Sequence, residues 1–390
     1  MNSFEQLIQP LATDTFFNEY WEKQPLHITR ERANYYSALF SIKDVDDVIC
    51  FTEPQFPAIQ IFNQGKPVPW NFFSESAGMS NINALYAEYQ RGTTLILRGL
   101  QHRWQPVANL YRNLESYFNH LIHINLYLTP KNAQGFASHF DTHEVFILQV
   151  EGSKHWRIYD TFEDLTLPIE QRSLPENKLQ KPLHEIHLQA GELLYIPSGY
   201  VHEALTSESS SIHLTVGINA YRWSDLLRTA ITLVAEENEV LRKSLPIGFL
   251  EDSHQETIEQ RFPELLNLLL EDSNLEAAVE RLSKDVFRDF PPLPDGHFAQ
   301  LDALEAIAID TVVKKRHGGL CRIFSESESD SVSIHFPGNK VVGPKSIEPS
   351  LQFIADAREF SVDSLPDSLS DNSKLVLVRR LVKEGLLTSV

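Results

Sequence analysis

Two separate parts of the chain carry residues that could bind a metal ion together. One part is the triplet His139-Phe140-Asp141, and the other, further along the chain, is His202. Two imidazoles and one carboxylate are the ligand set that binds iron(II) on one face and leaves three positions open. If the triplet lies on a strand, His139 and Asp141 can both face into a barrel while Phe140 faces out. A second strand must then supply His202.

The segment before His202 has the composition of a strand followed by a tight turn. Gly191 precedes an apolar run at residues 193–196, and Pro197 and Gly199 then come just before His202. This spacing resembles the second conserved box of the cupin barrels, with Thr206 where that box usually ends in Asn. Metal cupins of the isomerase and storage type carry His-x-His plus Glu in their first box. The His-x-Asp triplet instead favours the iron and 2-oxoglutarate oxygenases.

The other histidines leave alternatives open. A His-x-Asp triplet alone arises often by chance, and it is the second box that favours a metal site. His143 lies two residues beyond Asp141 and is either a substitute ligand or a neighbour of the ligands. His184, His187 and His213 alternate with apolar residues, which indicates ordinary strand positions.

Length and composition favour a soluble cytoplasmic protein. The 390 residues suit two or three domains, and 42% hydrophobic residues suffice for packed cores. Cys50 and Cys321 provide neither a disulfide framework nor a zinc spacing, which suits a reducing compartment. The first residues lack the pattern of a signal peptide, and no apolar run is long enough for a membrane span.

The net charge of −19 argues against nucleic acid as a partner, because phosphates would be repelled. It is compatible with a basic protein or peptide partner. An acidic surface that simply keeps the protein soluble explains the charge equally well.

Four successive stretches of the chain differ in the secondary structure that their residues predict. A helix leading into a strand is predicted at residues 11–28, a strand at 93–97 and a helix at 106–119. Short β-runs follow between residues 123 and 216, and amphipathic helices are predicted at 226–241 and within 255–287. After a proline-rich break at 291–296 come a strand at 332–336 and a helix at 373–384, then Gly385 and a short apolar run.

Five blocks in this order resemble the JmjC-type ribosomal oxygenases, protein hydroxylases of the cupin superfamily. The blocks are Phe17-x-x-Tyr20-Trp21-Glu22-Lys23-x-Pro25-Leu26, Asn125-Leu126-Tyr127-Leu128-Thr129-Pro130, His139-x-Asp141-x-His143-x-Val145-Phe146, Gln149-Val150-x-Gly152-x-Lys154-x-Trp156, and the box from Gly191 to His202. The resemblance implies an α+β chain in three parts. These are a double-stranded β-helix with an N-terminal extension at 1–222, a helical dimerisation region at 223–295 and a winged-helix-like domain at 296–390. A homodimer is expected.

The resemblance also implies iron(II) and 2-oxoglutarate, with His139, Asp141 and His202 as metal ligands. Lys154 falls where the family places a basic residue that pairs with the distal carboxylate of 2-oxoglutarate. A buried carboxylate requires such a cation, although a solvated lysine at a strand edge is the alternative. Asn125 and Tyr127 fall on the strand that lines the same pocket, and a structural hydrogen-bonding role for Asn125 is the alternative.

The implied activity is hydroxylation of a protein side chain, coupled to conversion of 2-oxoglutarate to succinate and carbon dioxide. The expected substrate is a basic ribosomal protein. Hydroxylation of another peptide, such as a biosynthetic precursor, would use the same chemistry, as would N-methyl-lysine demethylation. A cupin-type binding protein without catalysis is the alternative from another class.

Overall fold

The computed structural model describes residues 3–69, 82–161, 181–251, 255–292, 295–316, 319–326 and 329–390. The chain divides into two compact units, Met1–Ala220 and Tyr221–Val390. Helices and antiparallel strands occur in both units, as the predicted α+β class requires. The predicted boundaries of a dimerisation region and a winged-helix-like domain stay predictions. None of the described helices has both the length and the apolar composition that a membrane crossing needs.

The first unit is built mainly from antiparallel strands. Its described helices are α1 (Phe4–Ile8), α2 (Thr13–Glu19), α3 (Ile42–Thr52), α4 (Ile82–Gln90) and α5 (Gln105–Phe118). Its described strands are β1 (Leu26–Ile28), β2 (Ile59–Asn63), β3 (Lys66–Pro67), β4 (Thr94–Leu97), β5 (Leu121–Thr129), β6 (Glu144–Thr161), β7 (His184–Gln189), β8 (Leu193–Ile196), β9 (Tyr200–Leu205) and β10 (Ser211–Asn219). They pair in the order β1-β8-β6-β10-β5-β4-β2-β3, and β7 and β9 also pair with β6.

Strand β6 connects two groups of strands. Its first half pairs with β8 and β10, and its second half pairs with β7 and β9. Gly152 lies between the halves with φ +66°, and a Cβ there would be 1.8 Å from the carbonyl oxygen of Ser210. Only glycine fits this bend. The prediction that all β-runs between residues 123 and 216 are short is therefore wrong for β6, which is one strand of 18 residues.

The N-terminal aromatic block supports the strand that leads to His202. Phe16 packs edge-on against Tyr195 at 5.0 Å between ring centroids, and Trp21 stacks on the same ring at 6.2 Å. The Tyr195 hydroxyl accepts a hydrogen bond from the backbone N–H of Glu22. Tyr195 lies on β8, so this packing fixes the strand before the Pro197-Gly199 turn.

The second unit combines helices with two small sheets. Its described helices are α6 (Trp223–Glu237), α7 (Gln255–Asp272), α8 (Leu275–Asp289), α9 (His297–Asp302), α10 (Glu348–Asp356) and α11 (Asp371–Glu384). Its described strands are β11 (Val312–Lys315), β12 (Arg322–Glu326), β13 (Ser331–Phe336), β14 (Asn339–Pro344), β15 (Glu359–Ser361) and β16 (Leu387–Ser389). They form the three-stranded sheets β15-β11-β16 and β12-β13-β14. The predicted helix, glycine and short strand at the C-terminus are present as α11, Gly385 and β16.

Candidate metal centre and adjoining cavity

The structure brings His139, Asp141 and His202 together. One potential ligand atom from each lies within 4.8 Å of the other two. Nε2 of His202 is 3.6 Å from Oδ2 of Asp141, and the two imidazole centroids are 4.5 Å apart. All three side chains can therefore bind the same ion. The metal-site prediction remains a proposal about function, but its geometry is present.

The triplet is not on a strand, so the predicted reason for its geometry is wrong. His139 forms an isolated antiparallel bridge with His202, in which each backbone N–H donates to the other's carbonyl, at 3.1 and 2.8 Å. Asp141 lies in an irregular segment, where its carbonyl oxygen accepts from the N–H of Gly199 at 2.9 Å. The segment that follows β5 pairs with β9 at two separate positions only, Gln134 with Leu205 and His139 with His202. Phe140 packs with Tyr159 and Val201.

Backbone carbonyls orient both imidazoles for metal binding. Nδ1 of His139 is 2.9 Å from the carbonyl oxygen of Ala137, and Nδ1 of His202 is 3.0 Å from that of Tyr200. A carbonyl oxygen can only accept, so each Nδ1 carries the hydrogen. Each Nε2 then keeps its lone pair for an ion, as is usual for metal-binding histidines.

The charge states also suit metal binding. Burial raises the pKa of Asp141, but interactions with His139, His143 and His202 outweigh this and leave it below its ordinary value. Burial, helped by His139, lowers the pKa of His202 to about 4. At neutral pH the cluster thus offers an ionised carboxylate and a neutral His202 imidazole, the forms in which these side chains bind metals.

A cavity adjoins the three side chains. It measures about 520 Å³, counting space open to solvent. Besides the three metal-ligand candidates, which we call its metal side, its described lining includes Thr94, Tyr127, Val145, Ile147, Lys154, Trp156, His213 and Thr215. Strands β4, β5, β6 and β10 therefore all contribute to its wall.

Lys154 is buried in the wall of this cavity with 4% of its surface exposed. Its Nζ donates to Oγ1 of Thr129 at 3.0 Å, and no carboxylate in the described part of the chain lies within ion-pair distance of it. Burial lowers the pKa of the amine to about 7. The alternative of a solvated edge lysine does not fit this burial. An amine held in this way is stabilised by an anion in the cavity.

His213 lines the same cavity, so the prediction of an ordinary strand position is wrong. Tyr127 stacks on it with ring centroids 4.8 Å apart and an interplanar angle of 6°. Its Nδ1 and Nε1 of Trp156 are both buried without a hydrogen-bond partner among the described residues. We call Lys154 and His213, together with Thr129, the lysine side of the cavity; Thr129 holds the Lys154 amine and is not among the described lining residues. The alternation of polar residues with Ile212, Leu214 and Val216 indicated a polar face on this strand. The pairing of β10 with β5 was needed to show that this face lines the cavity.

The remaining predicted residues have different positions. Tyr127 lines the cavity. Asn125 is not among its described lining residues; its Oδ1 accepts from the N–H of Gly99 at 3.1 Å, and it also hydrogen-bonds to the Tyr127 side chain. A direct contact between Asn125 and a co-substrate stays a prediction. His143 packs against His123 at 4.9 Å and is outside the three-residue cluster of the described chain.

Comparisons with known proteins agree on one family. The JmjC domain family matches residues 100–226. Ribosomal oxygenase 2 of Bos taurus is 32% identical over 320 residues, which cover 77% of this chain and 67% of that protein. Ribosomal oxygenase 1 of Danio rerio is 28% identical, with 98% of this chain and 78% of that protein covered.

Solved structures show the same fold. The structure of YcfD, a ribosomal oxygenase from Escherichia coli, in complex with cobalt and 2-oxoglutarate matches with a TM-score of 0.59 at 18% identity. The match covers 97% of this chain and 98% of that chain. The first unit therefore has the expected JmjC fold of the cupin type. The chain belongs to the JmjC-domain ribosomal oxygenases.

Proposed function

We propose that this protein is an iron(II)- and 2-oxoglutarate-dependent oxygenase that hydroxylates a side chain of a ribosomal protein. One observation carries the proposal. The buried Lys154 amine lines the same cavity as His139, Asp141 and His202. A metal site alone is compatible with many functions, but a metal site beside a buried cation suits a chelating dianion. Family membership and the YcfD complex with cobalt and 2-oxoglutarate support the same assignment.

The donor set fits iron(II). Two imidazole nitrogens and one carboxylate form the facial triad of non-haem iron oxygenases. His139, Asp141 and His202 would hold the ion, which would supply the dioxygen chemistry that couples decarboxylation of 2-oxoglutarate to hydroxylation. The backbone bridge between His139 and His202 keeps both rings in place before the ion binds.

The lysine side of the cavity fits the far carboxylate of 2-oxoglutarate. Lys154 offers an ammonium group and Thr129 a hydroxyl beside it. Nδ1 of His213 and Nε1 of Trp156 can donate further hydrogen bonds, since neither is satisfied within the described structure. Val145 and Ile147 form an apolar wall that excludes water. These residues bind and orient the co-substrate.

The proposed substrate class is supported by the relatives and by charge. The two curated relatives described above are named ribosomal oxygenases. The net charge of −19 would attract a basic protein. We therefore place the enzyme in the cytoplasm with a basic ribosomal substrate, and without nucleic acid or membrane as a direct partner.

We further propose that residues 223–295 mediate homodimerisation and that residues 296–390 form a winged-helix-like, protein-contacting domain. Exposed apolar side chains recur every four residues on two helices of the second unit, at Trp223, Leu227 and Ile231 and at Phe262, Leu266 and Leu270. Such faces are typical of helices that pack against a partner. Light scattering of the purified chain tests this proposal, and a monomeric mass would contradict it.

The main proposal is tested by turnover. The purified protein, loaded with iron(II) without oxygen and then exposed to it, should convert 2-oxoglutarate to succinate. It should also add the mass of one oxygen atom to a ribosomal protein from cells that lack the gene. Asp141→Ala should abolish both, whereas Asp160→Ala, at an exposed aspartate of β6, should retain both. Turnover by Asp141→Ala would contradict the assigned metal site, and turnover without a modified ribosomal protein would contradict the substrate.

A further inference from the structure

Gly217 occupies a position where a side chain would collide with two histidines. It lies on β10, paired with His123 of β5 and with Val145 of β6. A Cβ at Gly217 would lie 2.3 Å from both Cε1 and Nε2 of His123, and 2.9 Å from Cδ2 of His143. Glycine weakens the interior of a strand, so its presence calls for a local reason. The space that it leaves is filled by the two imidazoles.

These imidazoles lie on the cavity face of the strands. Directly paired residues of neighbouring strands point to the same side, and Val145 lines the cavity. His123 and Gly217 are therefore on that side as well. Both rings are close enough to Asp141 to interact with its carboxylate. Along β10, His213 and Thr215 line the cavity, while Asn219, two residues beyond Gly217, is exposed. The two rings thus lie between the cavity and solvent.

Neither ring has a role in holding the ion or the co-substrate as proposed above. The described three-residue cluster is complete without them, and the lysine side of the cavity is formed by other residues. Their rings meet edge to face at 4.9 Å, and Nδ2 of Asn219 lies 3.2 Å from Nδ1 of His123. They form an oriented group of hydrogen-bonding nitrogens near the carboxylate of Asp141.

We propose that His123 and His143, held above Gly217, are specificity-determining residues that hydrogen-bond a polar substrate side chain beside the metal. Gly217 is a positioning residue for both rings. We call His123, His143, Gly217 and Asn219 the imidazole recess. The assignment rests on the proposed function, because it names the residues that select the substrate of that reaction.

The test separates substrate binding from co-substrate turnover. The iron-loaded full-length enzyme is given 2-oxoglutarate, isotopically labelled dioxygen and increasing amounts of ribosomal protein from cells that lack the gene. His123→Leu and His143→Leu should raise KM for this protein fraction about tenfold, the effect of losing a hydrogen-bonding partner. Succinate formation without added protein should persist, because His139, Asp141 and His202 remain in place. His123→Gln, which keeps hydrogen-bonding atoms, should recover part of the loss.

His155→Leu is the matched control, since His155 is exposed and stacks on His187 on strands β6 and β7. Gly217→Ala should reproduce the KM effect by displacing both rings. If it does not fold, the double variant His123→Ala/Gly217→Ala removes the 2.3 Å clash and leaves only the 2.9 Å approach to His143. This variant should fold, with a KM at least as high as that of His123→Ala.

The outcomes distinguish this assignment from the proposed function. If the wild-type enzyme labels a ribosomal protein but KM for the protein fraction is unchanged in His123→Leu and His143→Leu, the role of the imidazole recess is overturned and the proposed function stands. Loss of substrate-free succinate formation in these variants would overturn the role of the recess too, because the rings would then serve the ion or co-substrate. If the wild-type enzyme forms succinate but labels no protein, the proposed substrate class fails and the recess assignment fails with it.

Discussion

The metal side and the lysine side of the cavity are built by different means. On the metal side, His139 and His202 are joined by a single backbone bridge, and each ring is oriented by a carbonyl two residues earlier in the chain. On the lysine side, Lys154, Thr129 and His213 come from three long strands and meet only because those strands pair in one register. Local backbone contacts fix the first group, and sheet register fixes the second.

This difference has an energetic consequence. The metal side gathers a carboxylate with imidazoles whose hydrogen-bonded Nδ1 atoms leave Nε2 available to an ion. The lysine side keeps an amine buried without a carboxylate partner among the described residues, which costs free energy until an anion binds. The metal side is thus prepared for its ligand by the orientation of the imidazoles. The lysine side is prepared by a buried amine that lacks an anionic partner among the described residues.

The largest expected effect is on the metal side. His202→Ala removes a ligand but leaves the backbone bridge to His139, so the fold should persist while metal affinity and turnover are lost. Calorimetric titration with manganese(II) and succinate detection measure both. His184→Ala, at an exposed histidine of β7, is the control. Metal affinity equal to that of the wild type would show that His202 is not a ligand.

A smaller effect is expected from removal of the charge on the lysine side. Lys154→Met keeps the buried methylene chain and should raise KM for 2-oxoglutarate by about 10- to 100-fold, as loss of a charged hydrogen bond does. Metal affinity should not change, since the ligands are on the other side. Lys131→Met, at an exposed lysine, serves as control. An unchanged KM would mean that another group holds the far carboxylate.

The contrast between the two sides also explains what the sequence could predict. His139, Asp141 and His202 were found because ligand type and spacing are local properties of the chain. His202 is on strand β9, as predicted. The placement of His139 and Asp141 on another strand was predicted wrongly, since the bridge between His139 and His202 depends on how the segment after β5 meets β9. His213 was not recognised because the sequence pattern of a polar strand face is the same whether that face meets solvent or lines a cavity. The pairing of His213 with Tyr127, which the sequence does not give, shows that this face lines the cavity.

Titration of Lys154 should make co-substrate affinity depend on pH. Burial holds the pKa of the free amine at about 7, and only the ammonium form attracts the far carboxylate. Below pH 7 the amine is already protonated, so affinity should be constant. Above pH 7 binding must take up one proton, so affinity should fall about tenfold for each pH unit. Binding of 2-oxoglutarate to the manganese-loaded protein measures this, and Lys154→Arg, which stays charged, should show no such slope.

The smallest of these effects is expected at His213, whose contribution is a neutral hydrogen bond and a ring stack. Burial lowers its pKa well below the ordinary value, so it acts as a neutral donor and not as a second cation. His213→Leu leaves the Lys154 charge in place and should raise KM for 2-oxoglutarate about fivefold, with no change in metal affinity. His187→Leu, at an exposed position of β7, is the matched control. If His213→Leu raised KM for 2-oxoglutarate as much as Lys154→Met does, the histidine and the lysine would act as one coupled unit. If KM did not change, Lys154 and Thr129 alone would suffice to hold the far carboxylate. The His213 ring would then serve only to stack on Tyr127.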